Sequence, residues 1–292
     1  MASTEQTYRS IWTSLLSVPF EQKWIDAGGI STRYARAGSP DAPALILLHG
    51  TAGSWEGFAA NLGPLSQHFQ CFAIDMVGSG FSDKPDHDYE ISDYVAHVHA
   101  FMDVVGLERA SLIGCSLGSW VAARFALTHP GRTHKLVLLS AAGLFANAAN
   151  MDRIRSRRTA AVEDPCWQNI KPIFDHLIHE ERNRIDDIIA VRQRVYRQPD
   201  MVRTMLHVLA LQDPTIRQRN LLSEADWRSI ASPALVVGSL ADKDEYLETA
   251  RRVSRLIPKA RYEEMAQVGH WPHFEDPDRF NPLCIEFLQS ND

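Results

Sequence analysis

The sequence has little with which to build a disulfide framework, a membrane anchor or a nucleic-acid surface. It holds four cysteines in 292 residues: Cys71, Cys115, Cys166 and Cys284. They lie far apart and never in CxxC spacing, which excludes a small disulfide scaffold and a dithiol redox pair. They read as reduced, mostly buried thiols. No apolar run approaches the roughly 18 residues that a membrane span needs. The polar stretch from Met1 to Arg9 lacks the apolar centre of a secretory leader. The expected setting is the cytoplasm, with no membrane partner. A net charge of −6 argues against nucleic acid. Repeats and low-complexity segments are absent. So is a convincing metal-ligand pattern. His97 and His99 sit on a predicted helix, where i and i+2 diverge. His176 and His179 have no third ligand nearby. No metal and no cofactor is expected.

What the chain does have is enough length for a full core, and more than one compact domain needs. Its 45% hydrophobic and 23% charged residues are ordinary for a globular protein. A hairpin is expected from segments 22–25 and 32–35 around Ala27-Gly28-Gly29. Short continuous apolar runs follow at 44–48, 72–75, 111–115, 135–139 and 234–238, with a further short strand at 260–265. Strands buried on both faces of a parallel sheet read this way. Helical patterns separate them: 91–105, capped by Ser92 and ended by Gly106; 120–127; 247–256; and 280–289. A further short helix is predicted over 5–17, with Tyr8, Ile11, Trp12 and Leu15 on one face. This alternation predicts an α/β fold with a mostly parallel, doubly wound sheet. After Gly143 the pattern changes. Residues 144–226 hold helical stretches of balanced charge and no convincing strand. Two of them are expected to open at Asp164-Pro165 and Asp213-Pro214. The predicted organisation is a core domain of residues 1–143 and 227–292 with an inserted helical cap, residues 144–226.

The organising stretch is Gly114-Cys115-Ser116-Leu117-Gly118, which follows an apolar run and precedes a helix-compatible one. Strand, sharp turn and helix in that order make a nucleophile elbow. The turn leaves the Ser116 hydroxyl at a helix N-terminus, where free N–H groups favour developing negative charge. A serine hydroxyl needs a base, and the base needs an orienting carboxylate. His270 lies in the Gly269-His270-Trp271-Pro272 loop after the last strand. Asp242 lies just past the 234–238 strand, with Asp244 and Glu245 as rivals for the acid. The reading is a Ser116–His270–Asp242 triad, with its members at the carboxyl ends of strands. Two N–H groups should hold the oxyanion, one from Leu117 and one from Thr51 or Ala52. His49 and Asp75 read as structural, and Cys115 as a small packing residue.

These residues together resemble the α/β-hydrolases over nearly the whole chain: His49-Gly50, the stretch from Asp75 to Asp83, Gly114 to Gly118, Asp242, and Gly269-His270 occur in order. The serine at the elbow separates the chain from members that use aspartate there. Within the superfamily it is similar to the meta-cleavage product hydrolases. The likeness rests on Asp75-Met76-Val77-Gly78-x-Gly80-Phe81, on Gly269-His270-Trp271 with Glu275, Asp278, Phe280 and Asn281, and on Arg192 seven residues before Pro199. The resemblance implies cleavage of a carbon–carbon bond in a vinylogous 1,5-diketo acid, with Arg192 on the substrate carboxylate, Trp271 lining the pocket, and a homodimer. Three features depart from that pattern. Cys115 stands where asparagine is frequent, Gly57 stands about where another asparagine would, and the acid loop is one residue longer. A carboxylesterase or lactonase working through an acyl-enzyme on a small ester is therefore the second reading. A receptor-type protein on the same fold is the third.

Overall fold

The computed structural model describes residues 9–290. Eight strands form one sheet: β1 (Phe20–Asp26), β2 (Ser31–Ala37), β3 (Ala44–Leu48), β4 (Gln70–Ile74), β5 (Ala110–Cys115), β6 (Thr133–Leu139), β7 (Ala234–Ser239) and β8 (Ala260–Met265). Their order is β1-β2-β4-β3-β5-β6-β7-β8. β1, β2 and β4 pair antiparallel, and every pairing from β4 through β3 to β8 is parallel. The burial follows from the sequence. β4, β5 and β7 are buried at every position, whereas the edge strands β1 and β8 are largely half-buried or exposed. β3 has β4 on one side and β5 on the other, so the winding reverses there. The carboxyl ends of β3 and β5 therefore open a crevice side by side.

Helices Ala59–Ser66, Ile91–Val104, Leu117–Thr128, Tyr246–Leu256 and Pro277–Gln289 complete the α/β unit. Helix Ile91–Val104 is capped by Glu90 and not by Ser92. Ser92 already lies in the first turn, while Glu90 and Asp93 exchange side-chain and backbone hydrogen bonds. Gly106, at φ +73°, follows the helix end. The N-terminal helix is shorter than expected, Ile11–Leu15, with Ser10 as its cap. Ile11 and Leu15 share the buried face, and Trp12, one position round the helix, is exposed. Tyr8 lies outside the described residues.

Between β6 and β7 runs an all-helical stretch: Ala148–Glu163, Trp167–Leu177, Asp186–Tyr196, Met201–Val208, Pro214–Asn220 and Glu224–Arg228. The Asp213 carboxylate accepts the Thr215 and Ile216 N–H groups, so Asp213-Pro214 opens a helix as its sequence suggests. Asp164-Pro165 does not. Asp164 ends the preceding helix and Cys166 occupies the cap of the next, while Asp164 is engaged by the Asn169 side-chain amide. The Leu222 N–H bonds the Gly143 carbonyl at 2.9 Å, which draws the two ends of the insertion together. Far from those ends, the His270 N–H bonds the Leu177 carbonyl at 2.7 Å. The insertion is thus tied to the loop that follows β8.

Candidate active site

β5 runs into Ser116, whose backbone has φ +56° and ψ −116°, and helix Leu117–Thr128 begins at the next residue. A non-glycine residue there is strained by roughly 1–3 kcal/mol. Packing holds the turn. A Cβ on Gly114 would stand 2.2 Å from the Gly118 carbonyl oxygen, and one on Gly118 would stand 2.1 Å from that of Leu48. The elbow forms because two glycines let strand, helix and the end of β3 close on one another. Ser116 faces a cavity that His270, Trp271, Tyr246, Arg158 and Arg192 also line.

Three successive strands deliver the groups around His270. Its Nδ1 lies 3.0 Å from Asp242 Oδ2 and 3.3 Å from Oδ1, and Asp242 follows β7. Ser140, just past β6, stands 2.9 Å from the same Oδ2 and 2.8 Å from the His270 carbonyl oxygen. The Tyr246 ring meets the His270 ring edge-on at 4.3 Å. Asp244 goes elsewhere, to Arg153 at 2.6 Å and His176 at 3.0 Å. Burial opposes ionisation of Asp244, but these two partners hold its carboxyl below the ordinary range. Glu245 accepts from the Asn150 amide at 2.9 Å. Of the three candidate acids, only Asp242 is hydrogen-bonded to His270 among the described residues.

The loops beside Ser116 are built on Asp75. Its carboxylate takes Arg33 Nε at 2.5 Å, the Trp55 N–H at 2.8 Å and the Phe81 N–H at 2.9 Å, and Arg33 also pairs with Glu56. His49 accepts the Met76 N–H at 3.0 Å, and its other ring nitrogen lies 2.7 Å from the Gly50 carbonyl. Burial pushes His49 down to about 4, so its ring is neutral at pH 7. The turn it supports brings Thr51 onto the cavity wall with Ser116. Ala52 is buried at φ +52°, and Leu117 lines a smaller recess next to Ser116. Cys115 is buried with its thiol 3.6 Å from the His270 carbonyl oxygen. Burial pushes that thiol well up, which suits a packing residue and not a nucleophile.

The wall opposite the sheet comes from the insertion. Arg192 is buried there, over the rings of Phe174 and Tyr196 at 5.4 and 5.5 Å. Trp271 stands edge-on to Phe174 at 5.7 Å. Glu275 fixes the junction by accepting the N–H groups of Gly269 and His179, both at 2.8 Å. His97 bonds Thr32 at 2.7 Å and takes the Val77 N–H at 3.1 Å. Among the described residues no three His, Cys, Asp or Glu side chains converge on a point where a metal would sit. Sequence reasoning missed Ser140, Tyr246 and Arg158. Ser140 carried a faint signal, as a polar residue directly after a buried strand. The other two sit on helices, where nothing in their spacing separates a cavity residue from a core one.

A mostly parallel sheet, a serine on a strained strand–helix elbow and a histidine–aspartate pair from later loops together define a hydrolase architecture. The chain belongs to the alpha/beta hydrolase fold family, whose model matches residues 43–277. Two relatives span nearly all of it. It is 27% identical over 275 residues to the 2-hydroxy-6-oxo-2,4-heptadienoate hydrolase of Pseudomonas putida, covering 91% of this chain and 95% of that one. It is 29% identical over 280 residues to the 2-hydroxymuconate semialdehyde hydrolase of Pseudomonas sp. strain CF600, covering 92% and 94%. The meta-cleavage product hydrolase CumD from Pseudomonas fluorescens IP01, solved as a serine-to-alanine mutant complexed with acetates, superposes with a TM-score of 0.82 at 25% identity, over 95% of this chain and 100% of that one.

Proposed function

We propose that this hydrolase cleaves a carbon–carbon bond in a diketo acid of the kind formed by meta ring fission, with Ser116, His270 and Asp242 as its triad. The observation that carries the reading is Arg192, a buried guanidinium with no carboxylate partner among the described residues, in the same cavity as Ser116. An unpaired buried cation is costly unless the ligand supplies its counter-charge. A substrate bearing a carboxylate does so, and a neutral ester does not. The two Pseudomonas relatives are named as hydrolases of a heptadienoate and of a hydroxymuconate semialdehyde, which supports the same choice.

In this reading residues 144–226 form a cap over the core, and Arg192 and Trp271 fix the acid end of the substrate. His270, oriented by Asp242, first moves a proton to convert the dienol to its keto form. Ser116, or a water it orients, then adds to the remote ketone. The oxyanion is held by the N–H of Leu117 and one from Thr51 or Ala52. Collapse breaks the carbon–carbon bond. Water's oxygen ends in the new carboxylic acid, and its hydrogen ends on the departing carbon fragment, so no cofactor is consumed. The second reading, an esterase using the same triad, is favoured by the absence of polar side chains at Gly57 and Cys115.

The test is a paired assay of wild type and Ser116→Ala, on a yellow ring-fission dienoate and on a short-chain nitrophenyl ester. Serine-dependent bleaching supports the carbon–carbon reading. Ester turnover without bleaching replaces it with the esterase.

A further inference from the structure

Four arginines line the cavity that holds Ser116, of which Arg157 is exposed, and a fifth, Arg217, lines the recess beside it. Arg153 pairs with Asp244 at 2.6 Å, and Arg217 stands 4.0 Å from Glu245. Arg158 and Arg192 have no such partner. Both are buried, both line the cavity that holds Ser116, and among the described residues each donates only to the Tyr196 hydroxyl, at 3.2 and 3.3 Å. That single oxygen serves both guanidiniums, so most of their N–H groups are unspent. One phenol oxygen carries at most a single negative charge, so it cannot balance two cations. The two arginines pull Tyr196 below its ordinary range although burial opposes this, and burial together with Arg192 lowers Arg158. Two buried guanidiniums that share one phenol oxygen call for an anionic ligand.

Geometry limits what fills it. Because both guanidiniums bond one oxygen, they lie side by side and not at opposite ends of a long ligand. The planar fork of one guanidinium already matches one carboxylate. The second therefore meets an oxygen on the neighbouring carbon. We propose that Arg158 is a second anion-binding residue, which with Arg192 forms a two-cation subsite for a head made of a carboxylate and an oxygen on the adjacent carbon. A 2-oxo acid, or a 2-hydroxy-dienoic acid whose enol ionises, is such a head. The subsite rests on the proposed assignment of Arg192 to the substrate carboxylate. Arg158 gives the site its preference for the 2-oxygen over a plain acid.

The experiment compares dissociation constants for 2-oxopentanoate and pentanoate by ligand-detected NMR, in wild type and Arg158→Gln, with circular dichroism to check the fold. Wild type is expected to prefer the 2-oxo acid at least about tenfold, and Arg158→Gln to hold that preference under about threefold. No preference in wild type overturns the subsite. So does an unchanged preference in the variant, including an equal weakening of both acids. Should Arg158→Gln not fold, Arg158→Lys decides. It keeps the charge but loses the planar fork, and the preference must fall at least about threefold. These measurements do not depend on which bond the enzyme cuts. An Arg158-dependent preference in an enzyme that fails to bleach the dienoate overturns the carbon–carbon reading and leaves the subsite. Bleaching with an Arg158-independent preference does the reverse.

Discussion

His270 Nδ1 stands 3.0 Å from Asp242 Oδ2, a contact between the loops that follow the two last strands of the sheet. A carboxylate at that nitrogen fixes the tautomer that leaves the other ring nitrogen free to take a proton, and it stabilises the imidazolium that forms. Asp242→Asn is expected to lower kcat by about 10³–10⁴-fold on any substrate that needs Ser116, with little change in KM. Asp244→Asn is expected to cost less than about tenfold, because Asp244 serves Arg153 and His176 and not His270. Steady-state kinetics on both variants decides between the two acids. A larger loss at Asp244 would reverse the assignment.

Ser140 is the third point of that contact. Its hydroxyl reaches both the Asp242 carboxylate and the His270 carbonyl, and its backbone is held at φ +43°. Removing the hydroxyl leaves a buried carboxylate oxygen one bond short, worth about 1–3 kcal/mol. Ser140→Ala should lower kcat roughly tenfold and shift the acid limb of the pH–rate profile, while KM stays put. A profile identical to wild type would reduce Ser140 to a packing residue.

The elbow makes a prediction about stability. At Gly118 an added methyl collides with backbone, the Leu48 carbonyl at 2.1 Å, and no flexible side chain can move aside. Gly118→Ala should therefore destabilise the fold by several kcal/mol, at the upper end of single substitutions. A control at Gly131, where a Cβ meets nothing within 4 Å, should change stability little. Urea midpoints for the two variants make the comparison. Equal midpoints would mean that β3 and the elbow helix do not touch at Gly118.

What the sequence made legible, and what it hid, divides along one physical line. Runs buried on both faces announce themselves by composition, so β3 to β7 and the Gly-x-Ser-x-Gly turn could be read directly. The Asp242–His270 pair followed from chain order and from the rule that sites gather at strand ends. Ser140, Tyr246 and Arg158 could not be read. Their roles come from which way a side chain faces across a cavity that two distant segments enclose. Arg158 on helix Ala148–Glu163 has the same local pattern as its neighbour Arg157, which is exposed, and only tertiary packing separates them. The Ser92 and Asp164 caps failed for a related reason. Several polar residues near a helix start compete for the cap, and the winner is fixed by where the backbone turns.

Acid should loosen the loops around two buried histidines. His49 and His97 are buried and each accepts a backbone N–H, from Met76 and Val77 respectively. Protonation would break those bonds to the loop that follows β4. Burial pushes both down to about 4 from an ordinary 6.5. Between those values the unfolded chain binds the proton and the folded one does not, so stability rises with pH through that window. Their contribution is complete above pH 6.5 and is lost as pH falls toward 4. The slope is about 1.4 kcal/mol per pH unit for each histidine. Urea unfolding at pH values of about 7.5, 6 and 5 should show this decline. His97→Gln, which keeps an amide oxygen to meet the Val77 N–H and cannot take up a proton, should flatten it by about one histidine's share. An undiminished slope in the variant would locate the acid sensitivity elsewhere, and His49 would be the next residue to test.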